Sequence, residues 1–154
     1  GQLRGVRYDG TAFVELGGPW PINAHGAHWS HDVFQGRYVY YSEFSGRPGH
    51  DDASAYAVDL LDGTRYPVLS GAQSFTFYTT RDGSRIYAVG SLVASTHIVS
   101  VSTNGRTFTP LAWLSHPGFG LTGSTATEDD TGHFIFANTG RILGGWPMLL
   151  RVME

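Results

Sequence analysis

The sequence predicts an all-β fold, and three observations carry that prediction. Its ordered stretches are rich in aromatic and β-branched residues set in short apolar and polar alternation, the signature of half-buried strands. Glycine takes 21 of the 154 positions and proline 7, which interrupts the chain too often for helices of ordinary length. The third observation is that strands and turns recur in a fixed order, and a repeat determines architecture more firmly than any single element.

The first recurring element is a turn followed by a strand. Asp9-Gly10-Thr11-Ala12-Phe13-Val14-Glu15-Leu16, Asp62-Gly63-Thr64-Arg65-Tyr66-Pro67-Val68-Leu69 and Asn104-Gly105-Arg106-Thr107-Phe108-Thr109-Pro110-Leu111 align without gaps. Each reads Asp or Asn, Gly, two free positions, an aromatic, two free positions, Leu. Asp-Gly and Asn-Gly favour the positive φ angles of a tight hairpin turn, so each copy is predicted to be the turn and returning strand of a hairpin. Residues 3–8, 55–60 and 97–102 supply the strands that lead in.

The second element lies between these hairpins. Its strand cores are Tyr38-Val39-Tyr40, Ile86-Tyr87-Ala88 and Phe134-Ile135-Phe136, and the interval from Tyr38 to Ile86 and from Ile86 to Phe134 is 48 residues each time. Each core follows an acidic turn, at residues 32–36, at Asp82-Gly83 and at residues 130–132. Each turn follows a further short strand ending near Trp29, Thr79 and Thr127. Four strands in a unit of about 40 to 50 residues is the period of a propeller blade.

The predicted fold is therefore a β-propeller segment of about three four-stranded antiparallel blades, an incomplete ring. With strands named a to d from the axis outward, residues 1–17 give strands c and d of a first blade. Residues 18–70 and 71–115 each give a whole blade, and residues 116–154 start a further one, with 148–153 as another c strand. Ring closure then calls for the remaining blades of a larger propeller or for a second copy. A c strand at both ends would be redundant in a ring of this chain alone, which favours the larger propeller.

Trp29-Ser30-His31-Asp32 followed by Gly36-Arg37-Tyr38-Val39-Tyr40 resembles the Trp-Ser-Pro-Asp-Gly-x-x-Ile-x-Phe blade signature of TolB-type propellers. Thr80-Arg81-Asp82-Gly83-Ser84-Arg85-Ile86-Tyr87 resembles it more closely. The chain departs from the pattern where His31 replaces Pro, where Val33 to Gln35 lengthen the first turn, and where Glu128 to Thr131 replace Asp-Gly. The resemblance implies a blade rather than one activity, because it spans periplasmic scaffolds, gating domains of prolyl oligopeptidase-like peptidases and oligogalacturonate lyases. It tilts the expected compartment toward the periplasm or the exterior.

Composition narrows the function classes. The chain is 41% hydrophobic and 15% charged, the balance of a globular domain. Its net charge is −3 with no basic stripe, so no nucleic-acid partner is expected. No apolar run reaches transmembrane length and no signal-peptide pattern opens the sequence, so no membrane partner is expected. There is no cysteine, hence no disulfide and no thiolate metal site. All ten basic residues are arginine, which fits a GC-rich coding bias.

Alternating strand directions place the a–b and c–d turns on one face and the longer d–a and b–c connections on the other. The long connections are residues 17–25, 45–53, 90–95, 112–122 and 138–147, and binding residues concentrate on such loops. The candidates there are Trp20, His25, Arg47, His50, Asp51, Asp52, Trp113, His116 and Trp146, facing a protein, peptide or glycan ligand. Trp20, Trp113 and Trp146 could stack on a sugar or a peptide side chain, although packing between blades is the commoner use of such rings.

No cofactor is predicted beyond a divalent metal at His25, His28 and His50. Histidine is a common ligand for zinc-like ions. An extended His25–His31 run, however, would set its ends about 20 Å apart with His28 facing the other way. A site joining His25 to His50, Asp51 or Asp52 across neighbouring loops is geometrically easier, and it loosely resembles the His-rich metal site of oligogalacturonate lyases. Asp51-Asp52 and Glu128-Asp129-Asp130 read first as solvated turn residues. No Gly-x-Ser-x-Gly elbow occurs, so the expectation is a non-catalytic binding or scaffold segment. Its rival is part of a propeller enzyme, with the lyase-like metal site or the peptidase gating role. Tyr38, Tyr40, Phe75, Phe77, Phe134 and Phe136 alternate along strands and are expected to form the core between blades.

Overall fold

The structure is a computed structural model that describes residues 2–8, 13–21, 27–30, 33–43, 50–92, 96–115, 124–128, 134–138 and 148–151. Among them the chain is all β, with no helix. In chain order the strands are β1 (Gln2–Tyr8), β2 (Phe13–Pro21), β3 (Ala27–Trp29), β4 (Tyr38–Glu43), β5 (Ala53–Asp59), β6 (Arg65–Ala72) and β7 (Ser74–Thr79). They continue with β8 (Ile86–Ser91), β9 (Thr96–Ser102), β10 (Thr109–Ser115), β11 (Ser124–Glu128), β12 (Phe134–Asn138) and β13 (Met148–Arg151). Consecutive strands pair antiparallel into sheets β1-β2, β3-β4-β5-β6, β7-β8-β9-β10 and β11-β12-β13.

The strands fall where the repeat puts them. β4, β8 and β12 start at Tyr38, Ile86 and Phe134, β1 and β9 cover the expected lead-in strands 3–8 and 97–102, and β5 ends at Asp59, one residue short of the expected 55–60. Parts of the stretches expected as loop are strand instead, Gly90-Ser91 at the end of β8 among them. β2 continues to Pro21 and β10 to Ser115, because their backbone groups go on pairing, Trp20 opposite Leu3 and Ser115 opposite Thr96. A single residue, Gln73, separates β6 from β7, and its N–H donates to the Ser91 carbonyl at 2.7 Å. Just before it Gly71, at φ 85°, is the extra residue between the Ser54–Ser70 and Ala53–Ala72 pairs, a bulge of the kind that bends a strand.

The turns are wider than a two-residue hairpin. Between β5 and β6 the Asp59 N–H donates to the Thr64 carbonyl at 2.9 Å, and between β7 and β8 the Thr80 N–H donates to the Arg85 carbonyl at 3.0 Å. Each pair encloses four residues. The positive φ falls on the glycine, 73° at Gly63, 70° at Gly83 and 76° at Gly105, and not on the residue before it. That preceding side chain instead accepts a backbone N–H two residues on: Thr64 to Asp62 at 2.8 Å, Ser84 to Asp82 at 2.9 Å, Arg106 to Asn104 at 2.9 Å.

Sheets β3–β6 and β7–β10 pack against one another through Phe34, Tyr38, Tyr40, Ala55, Ala57, Ala72, Phe75, Phe77, Ile86 and Ala88. The alanines of β5 leave room for rings. Tyr40 stacks on Phe77 at 4.7 Å, and Phe108 meets both edge-on at 6.1 and 6.0 Å. Phe75 lies over Gly90, its cross-strand partner, where a Cβ would come within 2.8 Å of the ring. The opposite faces are buried too. Tyr41, Glu43 and Val58 fill that of β3–β6, and Tyr87, Val89 and Val99 that of β7–β10. Burial on both faces explains why β8 reads as the continuous run Ile86-Tyr87-Ala88-Val89 instead of a strict alternation.

Both ends of this seam are fastened by hydrogen bonds. At one, the Phe75 N–H donates to Ser42 Oγ at 2.9 Å. At the other, Tyr40 Oη donates to the Gly105 carbonyl at 2.8 Å and Gln35 Nε2 to the Thr103 carbonyl at 3.2 Å. The Arg106 guanidinium sits 3.8 Å from the centre of the Tyr66 ring. These contacts set the β9–β10 turn of one sheet against the β3–β4 turn and β6 of the other, so their short turns gather on the same side.

Candidate functional site

With the short turns on one side, the β4–β5 and β8–β9 connections of these two sheets leave from the other. His50, Asp51 and Asp52 lead into β5 at that end, and all three are exposed. His28 lies in β3 opposite Ser42, one step from the terminal Ala27–Glu43 pair at the same end of the same sheet. Trp20 and Trp113 occupy strand positions opposite Leu3 and Ile98 instead of loops, near the ends of β2 and β10. His25, Arg47, His116 and Trp146 lie outside the described residues. Among the described residues no three His, Asp or Glu side chains are grouped to hold a metal.

The polar chemistry that the structure does assemble lies elsewhere. Arg37 Nε and Nη2 both donate to Asp59 Oδ2, at 2.9 and 2.6 Å, and the Leu61 N–H donates to Asp59 Oδ1 at 3.0 Å. The Asp59 side chain is 1% exposed while that of Arg37 is 48% exposed, so the carboxylate is buried beneath a cation that still reaches solvent. The Arg37 hydrogen bond is the main reason the Asp59 pKa is lowered, with burial opposing it and the Leu61 N–H adding to it. Arg37 also sits 5.1 Å from the Tyr38 ring centre. The pair closes the short-turn end of the sheet as a neutralised unit, with neither partner available as a base.

On the other face of the same sheet, Arg65 lies 4.4 Å from the Tyr56 ring centre and donates from Nη1 to Tyr41 Oη at 2.8 Å. Glu43 Oε1 is 3.8 Å away. Tyr41 stacks on Tyr56 at 5.1 Å. Burial pushes the Tyr41 phenol up to about 12, with the Arg65 hydrogen bond pulling the other way. Asp82, by contrast, is exposed and pulled down to about 2, first by the Ser84 N–H and then by the Thr80 and Ser84 hydroxyls. A carboxylate so held staples its turn and is poorly suited to proton transfer near neutrality.

Sequence reasoning did not single out Arg37, Asp59, Arg65, Tyr41 or Glu43. The only advance signal was an ionisable residue beside an apolar strand core, as at Arg37-Tyr38 and Val58-Asp59. Compared with protein-family models the chain matches none, and a search of curated proteins finds no match.

Proposed function

We propose that the chain is a β-propeller segment of TolB-type blades acting as a non-catalytic binding scaffold, with a protein, peptide or glycan ligand on its long-connection side. One observation supports this most. Two successive four-stranded antiparallel meanders, offset by the 48-residue repeat, are each buried on both faces along their middle strands and keep their short turns on one side. A sheet buried on both faces is the middle member of a stack, and radial stacking of four-stranded sheets is the propeller architecture. Further blades, on a longer chain or on a second copy, then complete the ring. The periplasm or the exterior is the compartment in keeping with the resemblance.

Within the described residues the long-connection side presents His50, Asp51 and Asp52. All three are exposed, where an alanine substitution typically costs about 0.5 kcal/mol or less per site. Immobilised glycans and peptides are screened with the wild-type chain and with the triple variant H50A/D51A/D52A. Binding that weakens about tenfold or more in the variant, at an unchanged urea midpoint, supports the reading. Undiminished binding by the variant, or chemical turnover of a bound glycan, refutes it.

A second reading rests on His28 and His50 falling at one end of one sheet. A divalent metal held there would bring the oligogalacturonate lyase-like alternative forward. Elemental analysis of dialysed protein decides it: one ion per chain, lost in both H28A and H50A, supports that reading, and no bound ion dismisses it.

A further inference from the structure

The chain has three asparagines, Asn23, Asn104 and Asn138, and only Asn104 precedes a glycine. An Asn-Gly step is chemically unstable because no side chain on the following residue hinders attack of its backbone nitrogen on the carboxamide. The Gly105 nitrogen bonds to Asn104 Cγ, the Cγ–Nδ2 bond breaks, and ammonia leaves with the proton the nitrogen gives up. Water then opens the resulting succinimide at either carbonyl. Addition at Cγ gives aspartate with the normal backbone. Addition at the main-chain carbonyl gives isoaspartate, whose backbone runs through the side-chain carbon. No oxidant or reductant takes part.

In the fold both reacting groups are occupied. The Gly105 N–H donates to Ser102 Oγ at 3.0 Å. Asn104 Oδ1 accepts from Arg106 N–H at 2.9 Å, Thr107 N–H at 2.9 Å and Ser102 Oγ at 3.1 Å. Gly105 is itself buried, its carbonyl bonded to Tyr40 Oη. Ring closure must break the Gly105–Ser102 bond and rotate a carboxamide held by three donors, so the turn has to open first. The two products then differ. Aspartate at 104 keeps the acceptor that Asp62 and Asp82 already supply in the matching turns. Isoaspartate lengthens the turn by one backbone atom and carries the Gly105 carbonyl away from Tyr40.

We propose that Asn104-Gly105 is a spontaneous deamidation site kept closed by its folded turn, and that its isoaspartate product unfastens the seam between sheets β3–β6 and β7–β10. The whole chain is aged in buffer and in denaturing urea and mapped by peptide mass spectrometry, with Asn23 and Asn138 as internal references. Conversion at 104 is expected to be about tenfold or more faster in urea, where the turn is open. In buffer-aged protein, the separated isoaspartate form is expected to unfold at lower urea than unaged chain, while N104D unfolds where the wild type does. Equal rates with and without urea overturn the closed-turn part. An isoaspartate form with the wild-type midpoint, or an N104D variant that unfolds as early as the isoaspartate form, overturns the part concerning the seam.

Discussion

Gly105→Ala and Gly83→Ala form a matched pair that measures how much the seam depends on one close approach. Both glycines occupy the left-handed region, at φ 76° and 70°, where a side chain costs about 1–2 kcal/mol. Around Gly83 an added Cβ meets nothing within 4 Å, so that backbone cost is all G83A should show. At Gly105 the same Cβ comes within 2.7 Å of Tyr40 Oη, 2.8 Å of Tyr38 and 2.9 Å of Phe34, three buried aromatic groups of the other sheet. Overpacking of this kind adds about 1–3 kcal/mol. G105A is therefore expected to lose that much more than G83A, or roughly 3–10 °C in Tm for a chain of this size. Urea and thermal unfolding followed by circular dichroism are the assays. Tyr40→Phe sharpens them, because it leaves the Gly105 carbonyl without its phenol at a cost of about 1–3 kcal/mol. Combining Y40F with G105A should cost less than the two separately, since both break one contact. Equal losses in G105A and G83A, or strict additivity of Y40F with G105A, would refute the reasoning.

The acid limb of stability should be steep. Asp59 and Asp82 both have folded pKa values below their unfolded value of 3.8, Asp82 at about 2. Their contribution is present above pH 3.8 and lost as pH falls through the folded values. D82N keeps an oxygen acceptor for the turn but removes the charge, so urea midpoints between pH 4 and 2 should fall less steeply than in the wild type. On the alkaline side burial raises Tyr40, and Tyr41 to about 12 from 10.0. That stabilisation is complete below pH 10 and lost as pH rises through 12. Absorbance titration of the native chain should show Tyr40 and Tyr41 ionising last or together with unfolding, and Y41F should lessen the alkaline loss.

The repeat made strand positions legible because a hairpin writes its own ends locally, in the Asp-Gly or Asn-Gly turn and the aromatic that follows. The 48-residue interval placed β4, β8 and β12 at their first residues. Turn width was not legible from the dipeptide alone. Gly63, Gly83 and Gly105 supply the positive φ, but the residue before each is used as a side-chain acceptor and so needs no left-handed backbone. Trp20 and Trp113 looked like loop residues because Gly and Pro flank them, while the cross-strand pairing that keeps them in β2 and β10 depends on residues elsewhere in the chain. The pairing of Arg37 with the buried Asp59 and the Arg65–Tyr41 contact escaped notice for the same reason. The first joins the ends of the paired strands β4 and β5 and the second reaches from β6 over β5 to β4, in both cases between residues more than 20 apart, and no local periodicity records such a partner.

The seam is fastened near one end by Ser42 and near the other by Tyr40 and Gln35, with a one-residue link between β6 and β7. A joint clasped at both ends cannot pivot about either. The strand ends on the far side, Glu43 and Ala53 in one sheet and Ser91 and Thr96 in the other, consequently keep a fixed spacing, like sockets set in one jaw. In the binding role we propose, affinity would be tuned by exchanging what those sockets carry rather than by moving the jaw.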